Sequence, residues 1–599
     1  LFDRDQNQLF TRRTFILGGI QGALALTLVG RLYYLQVLKG KHYQLLSDKN
    51  RIQTHYILPQ RGNILDRNGY LLAENKNAYT AVLNPDNKAA VESFLTHIQG
   101  KLEISEQQLD LIKEKLTRRR RLNTLIIKEN LTWEELAKLE LHAPDLPGLT
   151  IEKGHSRSYP MPHETGHFIG YVGSVSDKEL DQDPSLDLPG LRVGKLGLEK
   201  TYENTLKGKA GIKNVEVNAL RKVVRNLDLI ESVSGQDLTT NIDLNLQKAV
   251  YEALSKHRSA AAIVMDVQTG AVLSYVSYPG YDINLFLNAL SKQDWENISG
   301  HEDKPLVNKI IAGQYAPGST FKMMVALAGL NGGVINPSTT IHCPGHYDFY
   351  GHRFHCWNWK QGGHGHVNVQ SAIAQSCDVY FYHVANQIGV DAIGAVAKSF
   401  GLGQLTGIDI PGEKSGLIPT RNWKSVVRRQ RWTGGETINL SIGQGAILTT
   451  PLQLTRMTAM LVNGLVPIFP HIAKKDIPPR LDPLPYKIEY QKLIYEAMCD
   501  VVNKPWGTAH LSIPESPYSM GGKTGSTQVS RITQKERDTN THNDRPYHLK
   551  EHSMFTGFAP IENPKFAVTV IVEHGGGGAK TAAPLAKEIL VAAQKLVNL

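Results

Sequence analysis

No segment of this 599-residue chain repeats another, and no compact basic motif or zinc-finger spacing in it suggests nucleic acid. The first absence excludes solenoids and propellers, which need a unit of fixed period. The second argues against nucleic acid as the partner of its formal net charge of +10. Dispersed surface lysines explain such an excess, and a mildly basic surface also suits anionic polymers or lipid headgroups. Charge is sparse: 20% of residues are charged and 41% are hydrophobic. That balance fits globular domains with sizeable cores, and the length calls for more than one domain. Cysteine is scarcer still, at four residues: Cys343, Cys356, Cys377 and Cys499.

What is present begins with an apolar run. Arg12-Arg13 precede Phe15-Ile16-Leu17-Gly18-Gly19-Ile20, and the run continues to Val29-Gly30, then resumes after Arg31 as Leu32-Tyr33-Tyr34-Leu35. Together these reach the ~20 residues that span a bilayer, with Tyr33 and Tyr34 placed for the interfacial belt. A cleaved signal peptide and a buried core helix are the competing readings. No small-residue cleavage site follows, which favours an uncleaved anchor. Thr11-Arg12-Arg13-Thr14-Phe15 also resembles a twin-arginine export signal. Arg4, Arg12 and Arg13 face Arg31, Lys39 and Lys41 across the run, so flanking charge does not set the orientation.

The chemistry sits far downstream. Ser319-Thr320-Phe321-Lys322 follows the turn signal Pro317-Gly318, and Gly521-Gly522-Lys523-Thr524-Gly525-Ser526-Thr527 comes some two hundred residues later. A chain this long holds roughly two or three Ser-x-x-Lys by chance, so the ordered pair in these contexts carries the weight. A serine hydroxyl is a poor nucleophile until a base removes its proton. If Ser319 opens a helix, Lys322 lies on the same face one turn on and reaches its oxygen. A lysine near another cation gives up its proton more readily, and Lys523 can be that cation. Lys523 can also bind a substrate carboxylate, helped by the Thr524 and Ser526 hydroxyls. Backbone N–H groups at a helix start, as at Ser319, suit an oxyanion. The plain alternative makes Ser319 an N-cap and Lys322 a solvated first-turn charge. Between the two motifs, Ser376-Cys377-Asp378 offers a hydroxyl to relay protons between Lys322 and a leaving group. Asp378 is acceptor-only when ionised, so it contacts a donor, is protonated, or has a structural role.

The ordered set Ser319-x-x-Lys322, Ser376-x-Asp378 and Lys523-Thr524-Gly525 resembles the active-site signature of class B penicillin-binding proteins. It is most similar to their penicillin-binding protein 2 branch, where Ser-x-Asp is common at the middle position. Gln60-Arg61-Gly62-Asn63-Ile64-Leu65-Asp66-Arg67-Asn68-Gly69 and Gly197-Leu198-Glu199-Lys200-Thr201-Tyr202-Glu203 resemble blocks of the family's pedestal, or dimerisation, domain. Gly443-Gln444-Gly445 and Thr450-Pro451-Leu452-Gln453 resemble a block between the second and third catalytic motifs. The resemblance implies an α+β chain: tail and anchor over 1–38, an elongated mixed pedestal over 41–236, and a serine β-lactamase/transpeptidase-like domain over 237–599 with an antiparallel sheet flanked by helices. It implies a peptidoglycan D,D-transpeptidase of cell elongation, acylated at Ser319 and inhibited by β-lactams. Ser319, Lys322, Ser376, Asp378 and Lys523 are its catalytic set, and Thr524, Gly525, Ser526 and Thr527 its substrate strand. No organic cofactor is implied. The implied partners are stem peptides on lipid-linked nascent glycan, the membrane, a RodA-type glycosyltransferase and an MreC-type scaffold, with the catalytic domain in the periplasm of a bacterial inner-membrane protein. A D,D-carboxypeptidase or a non-enzymatic penicillin-binding sensor is the alternative. No Glu-x-x-Leu-Asn follows Ser376 to place a hydrolytic water as in class A lactamases.

Three of the four cysteines share one stretch with His342, His346, His352, His355, His364 and His366. One reading is a Cys343–Cys356 disulfide in an oxidising compartment. The sharper one is a closed zinc site of Cys343, Cys356, His364 and Cys377, since three thiolates and an imidazole satisfy tetrahedral zinc. The penicillin-binding protein 2 branch can carry metal ligands in this region. Cys499 lies in a helical pattern and reads as a buried thiol.

The remaining expectations are local. Strands are expected around 54–58 and 79–83, a hairpin at Gln268-Thr269-Gly270, late strands at 555–558 and 566–572, and an amphipathic helix over 582–599. A charged helical stretch containing Arg118 to Arg121 is expected between Leu102 and Leu139, and a long polar loop from Arg531 to Glu551.

Overall fold

Arg12–Tyr33 forms one α-helix that runs on through a π-helical turn, Tyr34–Leu38. Its apolar part, Phe15–Leu38, is 24 residues long and has no buried share. An apolar helix of spanning length with Phe15, Leu24, Leu28 and Leu32 all exposed is a candidate membrane anchor. The structure is a computed structural model that describes residues 12–39, 52–83, 94, 98, 125–146, 148–188, 190–217, 223–287, 290–475, 481–513, 518–530, 536 and 545–596. Arg118 to Arg121 and most of the expected 531–551 loop lie outside the described residues.

The chain divides into two units. One comprises residues 1–60 and 208–235. Besides the helix it holds a three-stranded antiparallel sheet, Ile52–Ile57 beside Gly211–Val217 beside Val223–Ile230. The other comprises residues 61–207 and 236–599. Its N-terminal part is built on the long strand Leu71–Leu83, which pairs with Leu149–Ser158, Leu125–Lys128 and Ile64–Leu65. The strand Leu125–Lys128 falls in the stretch expected to be helical. Its backbone pairs Ile126 with Val82 and Leu125 with Leu83, so pairing overrides the charged surroundings. A buried charge cluster ties this part together. Glu199, fully buried, accepts from Arg61 Nε at 2.6 Å and Arg157 Nε at 2.7 Å. Arg61 also reaches Glu203 at 2.7 Å, and Arg157 the Gly62 carbonyl at 2.8 Å.

The C-terminal part carries the site. It opens with α1 (Leu244–Ser255), then β1 (Ala260–Asp266) and β2 (Val272–Tyr278). Next come α2 (Lys322–Asn331), α3 (Val369–Ala374), α4 (Asp378–Ile388), α5 (Gly434–Ser441), α6 (Pro451–Val462) and α7 (Ile488–Asn503). The chain closes with β3 (Gly521–Thr527), β4 (His552–Ala559), β5 (Phe566–Val572) and α8 (Ala582–Lys595). The five strands form one antiparallel sheet in the order β2-β1-β5-β4-β3.

The sheet is buried on both faces, which is why β1 and β5 read as unbroken apolar runs rather than alternating ones. Ala261, Ile263 and Met265 join the core cluster that holds α2, α4 and α6. Ala260, Ala262 and Val264 join the opposite one with α1 and α8. The alternation is the pleat itself. The expected hairpin is present: Asp266 Oδ1 accepts from the amides of Gln268 and Thr269 at 2.9 and 2.8 Å, and Gly270 takes φ +80°. In α2 every residue from Lys322 to Leu330 is buried, so the helix is the hub of the helical side.

Candidate active site

Four contacts fix the turn before α2. Tyr315 exchanges two backbone hydrogen bonds with Thr449, both 2.8 Å. The Ala316 carbonyl accepts from Thr527 Oγ1 at 2.7 Å. The Gly318 amide donates to the Gly443 carbonyl at 3.0 Å. Tyr315 Oη donates to Glu573 Oε1 at 2.7 Å. Gly318 is required here: its φ is +56°, and a Cβ would stand 3.0 Å from the Ser526 carbonyl. Ser319 does not open the α-helix as expected. Gly318–Phe321 is a 3-10 turn, and α2 begins at Lys322. In a 3-10 turn residues i and i+3 eclipse, so Ser319 and Lys322 still share one side.

Lys322 is fully buried, which removes the reading of a solvated charge. Its ammonium donates to Asp378 Oδ1 at 2.6 Å, the Ser376 carbonyl at 2.8 Å and Ser376 Oγ at 3.2 Å. No hydrogen bond joins it to Ser319 among the described residues; the carboxylate claims it. Ser376 has φ +54°, uncommon without glycine, which turns its hydroxyl and carbonyl together toward that ammonium. Asp378 is the first residue of α4, where a carboxylate suits the helix dipole. Its other oxygen, Oδ2, accepts from the Trp357 amide at 2.8 Å. Of the three readings open for Asp378, contact with donors is the one observed. Burial raises its pKa, with the Lys322 ammonium pulling the other way.

Lys523, on β3, is fully buried too, and its ammonium donates to the Thr524 carbonyl at 3.3 Å. Burial, and next the charge on Lys322, push it well below the ordinary lysine range; Asp378 opposes the shift. The site thus holds one ion pair, Lys322 with Asp378, and one lysine driven toward neutrality.

The rest of β3 divides its work. Thr524 Oγ1 lies 2.9 Å from Thr508 Oγ1. Ser526 is exposed, and its Oγ accepts from the Gly578 amide at 3.0 Å. Gly525 has no room for a side chain: a Cβ would press on the Pro317 carbonyl at 3.1 Å. Thr527, grouped by sequence with the substrate strand, is buried and donates to the Ala316 carbonyl in the turn before Ser319. Sequence reasoning missed Glu573, Tyr315 and Trp357. It also missed Gln444, whose Nε2 donates to the Ser526 carbonyl at 3.3 Å. The Gly443-Gln444-Gly445 block was the available signal for the last.

The cysteines converge beside this site. Donor atoms of Cys343, Cys356, His364 and Cys377 all lie within 4.8 Å of one another. All four cysteines are free thiols, so Cys343 and Cys356 are not bonded to each other. His364 Nδ1 is 3.6 Å from Cys343 Sγ and 3.5 Å from Cys356 Sγ, and its buried Nε2 has no partner. Hydrogen bonds from Cys356 and Cys377 pull the Cys343 thiol down to about 3, while the same crowding pushes Cys377 up. Three packed thiols cannot all ionise unless a cation joins them. The cluster also touches the catalytic turn: the Asp378 amide donates to Cys356 Sγ at 3.4 Å.

With this geometry established, the relationships of the chain follow. Residues 260–591 match the model of the penicillin binding protein transpeptidase domain, and residues 56–240 that of the penicillin-binding protein dimerisation domain. The chain is 36% identical to peptidoglycan D,D-transpeptidase MrdA of Acinetobacter baumannii, over 97% of this chain and 88% of that protein. PBP2 of Helicobacter pylori, solved in complex with MreC, superposes with a TM-score of 0.82 at 30% identity, covering 92% of this chain and all of that one. A chain of a peptidoglycan synthase complex, described as coordinating polymerization and crosslinking, matches with a TM-score of 0.70 at 30% identity over 97% of this chain and 98% of its own. The chain therefore belongs to the penicillin-binding proteins that join a dimerisation domain to a transpeptidase domain, within the PBP2, or MrdA, group.

Proposed function

We propose that Ser319 is the acylated nucleophile of this peptidoglycan D,D-transpeptidase of cell elongation. The observation that carries the reading is the convergence of two buried lysines and one carboxylate on the turn that presents Ser319. Lys322 passes a proton to the Asp378 carboxylate along their 2.6 Å hydrogen bond, and the neutral amine then takes the one on Ser319 Oγ. The oxygen attacks the carbonyl between the two terminal D-alanines of a stem peptide. The C–N bond breaks, and Ser376 Oγ, 3.2 Å from Lys322 Nζ, passes a proton to the departing amine. An amine of a second strand then attacks the ester and frees Ser319. Lys523, Thr524 and Ser526 hold the terminal carboxylate, Gly525 lets their strand lie against the turn that presents Ser319, and the Ser319 and Ser526 amides face the oxyanion. Such donors are worth ~3–4 kcal/mol each. Intact mass after exposure to a labelled penicillin, with the modified peptide mapped, tests the assignment. A single adduct on Ser319, lost in Ser319→Ala, is expected; normal labelling of that variant overturns it.

The Cys343, Cys356, His364 and Cys377 set fits a structural zinc ion. Its donor types suit tetrahedral zinc, and a 2.3 Å Zn–S bond puts neighbouring sulfurs roughly 3.7 Å apart, a spacing such a cluster accommodates. The ion would supply folding free energy and no chemical step. Elemental analysis of protein purified without a metal-affinity tag tests it. Zinc near zero with a Cys343–Cys356 disulfide would rule it out.

The same reading places residues 1–38 as tail and inner-membrane anchor, 41–236 as pedestal and 237–599 as the periplasmic catalytic domain. The relatives solved with MreC and within a synthase complex support an MreC-type scaffold and a RodA-type polymerase as partners. Copurification of both with the full chain, and its loss on deleting residues 41–236 or the anchor, tests the arrangement.

A further inference from the structure

We infer that the segment from Arg421 to Trp432 forms a second substrate subsite, which binds a carboxylate of a peptidoglycan strand beyond the reacting peptide. The inference rests on the transpeptidase reading above. Five cations, Arg421, Lys424, Arg428, Arg429 and Arg431, fall within eleven residues that contain no acid. Two are matched: Lys424 pairs with Glu436 at 2.6 Å and Arg421 with Asp391 at 3.5 Å. Arg428 lies over the Trp423 ring, 6.0 Å from its centre. Arg429 and Arg431 are exposed and have no acidic partner among the described residues. The segment is a concentrated excess of positive charge.

It also has a shape. A cavity of about 460 Å³ is lined by Arg421, Gln430, Arg431, Trp432, Asn386 and Thr433, among others. Trp432 is fixed there, because its Nε1 donates to Thr437 Oγ1 at 2.8 Å. The chain enters through a π-helical turn, Lys424–Arg428, and leaves through Arg429 at φ +54° and ψ +37°. Both features are rare in ordinary surface loops and recur at functional sites. Guanidinium forks beside an amide and an indole suit a planar carboxylate.

Its position relates it to the reaction. α4 begins at Asp378 in the catalytic site, and Asn386 and Gly389 at its far end line the cavity. Eleven helical residues put the two ends roughly 16 Å apart. α5, which packs on α4, leads from the cavity to Gly443, whose carbonyl holds the Gly318 amide. A cross-linking enzyme must hold two strands, each with carboxylates that do not react. A cationic cavity one helix length from Ser319 is placed for one of them.

Equilibrium binding tests this on the full chain after its nucleophile has been blocked by penicillin. The probe is a fluorescent, uncross-linked glycan–pentapeptide strand read by anisotropy. The double variant Arg429→Gln/Arg431→Gln should weaken binding by about three- to tenfold, as losing two exposed pairs does. Arg429→Lys/Arg431→Lys should recover only part of the loss, because it restores the charge without the planar fork. The difference should shrink in high salt, and for a strand whose carboxylates are amidated. Intact mass reports acylation separately, so failure at Ser319 is seen independently of failure here. Unchanged strand affinity in the double Gln variant overturns the proposal. So does equal weakening for a lipid-linked disaccharide diphosphate without peptide, which would assign the cavity to phosphate instead.

Discussion

Replacing Asp378 by asparagine asks whether this site needs a carboxylate. Both carboxylate oxygens are engaged by donors, Oδ1 by the Lys322 ammonium at 2.6 Å and Oδ2 by the Trp357 amide at 2.8 Å. An amide has one oxygen to offer and presents a donor on the other side. In Asp378→Asn, therefore, either Lys322 or Trp357 faces an N–H in a buried place. Losing one charge-assisted hydrogen bond costs about 2–3 kcal/mol. Asp378→Ala leaves the buried Lys322 ammonium without its counter-charge, for which about 3–5 kcal/mol is expected. In thermal unfolding the asparagine variant should lose roughly 2–4 °C, and the alanine variant more. Acylation by a fluorescent penicillin, followed by stopped flow, should slow by roughly 10–100-fold in the asparagine variant, because Lys322 is no longer held against Ser376. An asparagine variant that melts and acylates like the parent would refute the reasoning. It would show that the charge on Asp378 does no more than an amide does.

Lys523 has a depressed pKa in the folded chain, so between that value and the ordinary lysine range the unfolded chain binds more protons, and stability rises with pH. Lys523→Met should remove that slope in pH-dependent melting and raise stability at neutral pH while abolishing acylation; an unchanged slope contradicts it. A carboxylate arriving beside Lys523 raises its pKa again and should draw protons from solution, read as a heat of penicillin binding to Ser319→Ala protein that depends on buffer ionisation. Gly443→Ala should slow acylation with little loss of secondary structure, since its Cβ would lie 2.1 Å from the Gly318 carbonyl at a φ of +69°; parental kinetics would show that the turn tolerates displacement. Glu199→Ala leaves the buried Arg157 guanidinium without a counter-charge and Arg61 with Glu203 alone, and should destabilise the chain by about 3–5 kcal/mol. Denaturant unfolding checks the loss, and a midpoint within error of the parent would contradict it.

The parts of this protein that were legible in its sequence are those with local periodicity or a fixed spacing. The apolar runs of β1 and β5, the Asp266 to Gly270 turn and the terminal helix follow from patterns a few residues long. The three catalytic motifs follow from their order. What was not legible spans large sequence distances through single polar contacts. Tyr315 meets Glu573 across 258 residues, and Arg61 meets Glu199 across 138. Such pairs leave no mark on either segment alone. The contact of Thr527 is hidden for the same reason: a hydroxyl next to Lys-Thr-Gly-Ser looks available until the turn before Ser319 packs against it. The strand Leu125–Lys128 was hidden by the charged residues around it.

The cysteine cluster joins these two kinds of information. Its donor types could be read from the sequence, but its purpose depends on where its neighbours point. Cys377 lies between Ser376 and Asp378, and Cys356 precedes Trp357, whose amide supplies one of the two donors to Asp378. Cys356 Sγ accepts the Asp378 amide. Lys322 thus rests on Ser376 and Asp378, and these rest on the segment that Cys343, Cys356 and His364 hold in place. A disturbance at the thiols has a short path of two hydrogen bonds to the ammonium that prepares Ser319. Chelation should therefore lower the melting temperature and slow acylation together, and Cys377→Ser should do both with Ser319 intact. A chelated chain that melts early but acylates at the parental rate would separate the cluster from catalysis and leave it a purely structural clasp.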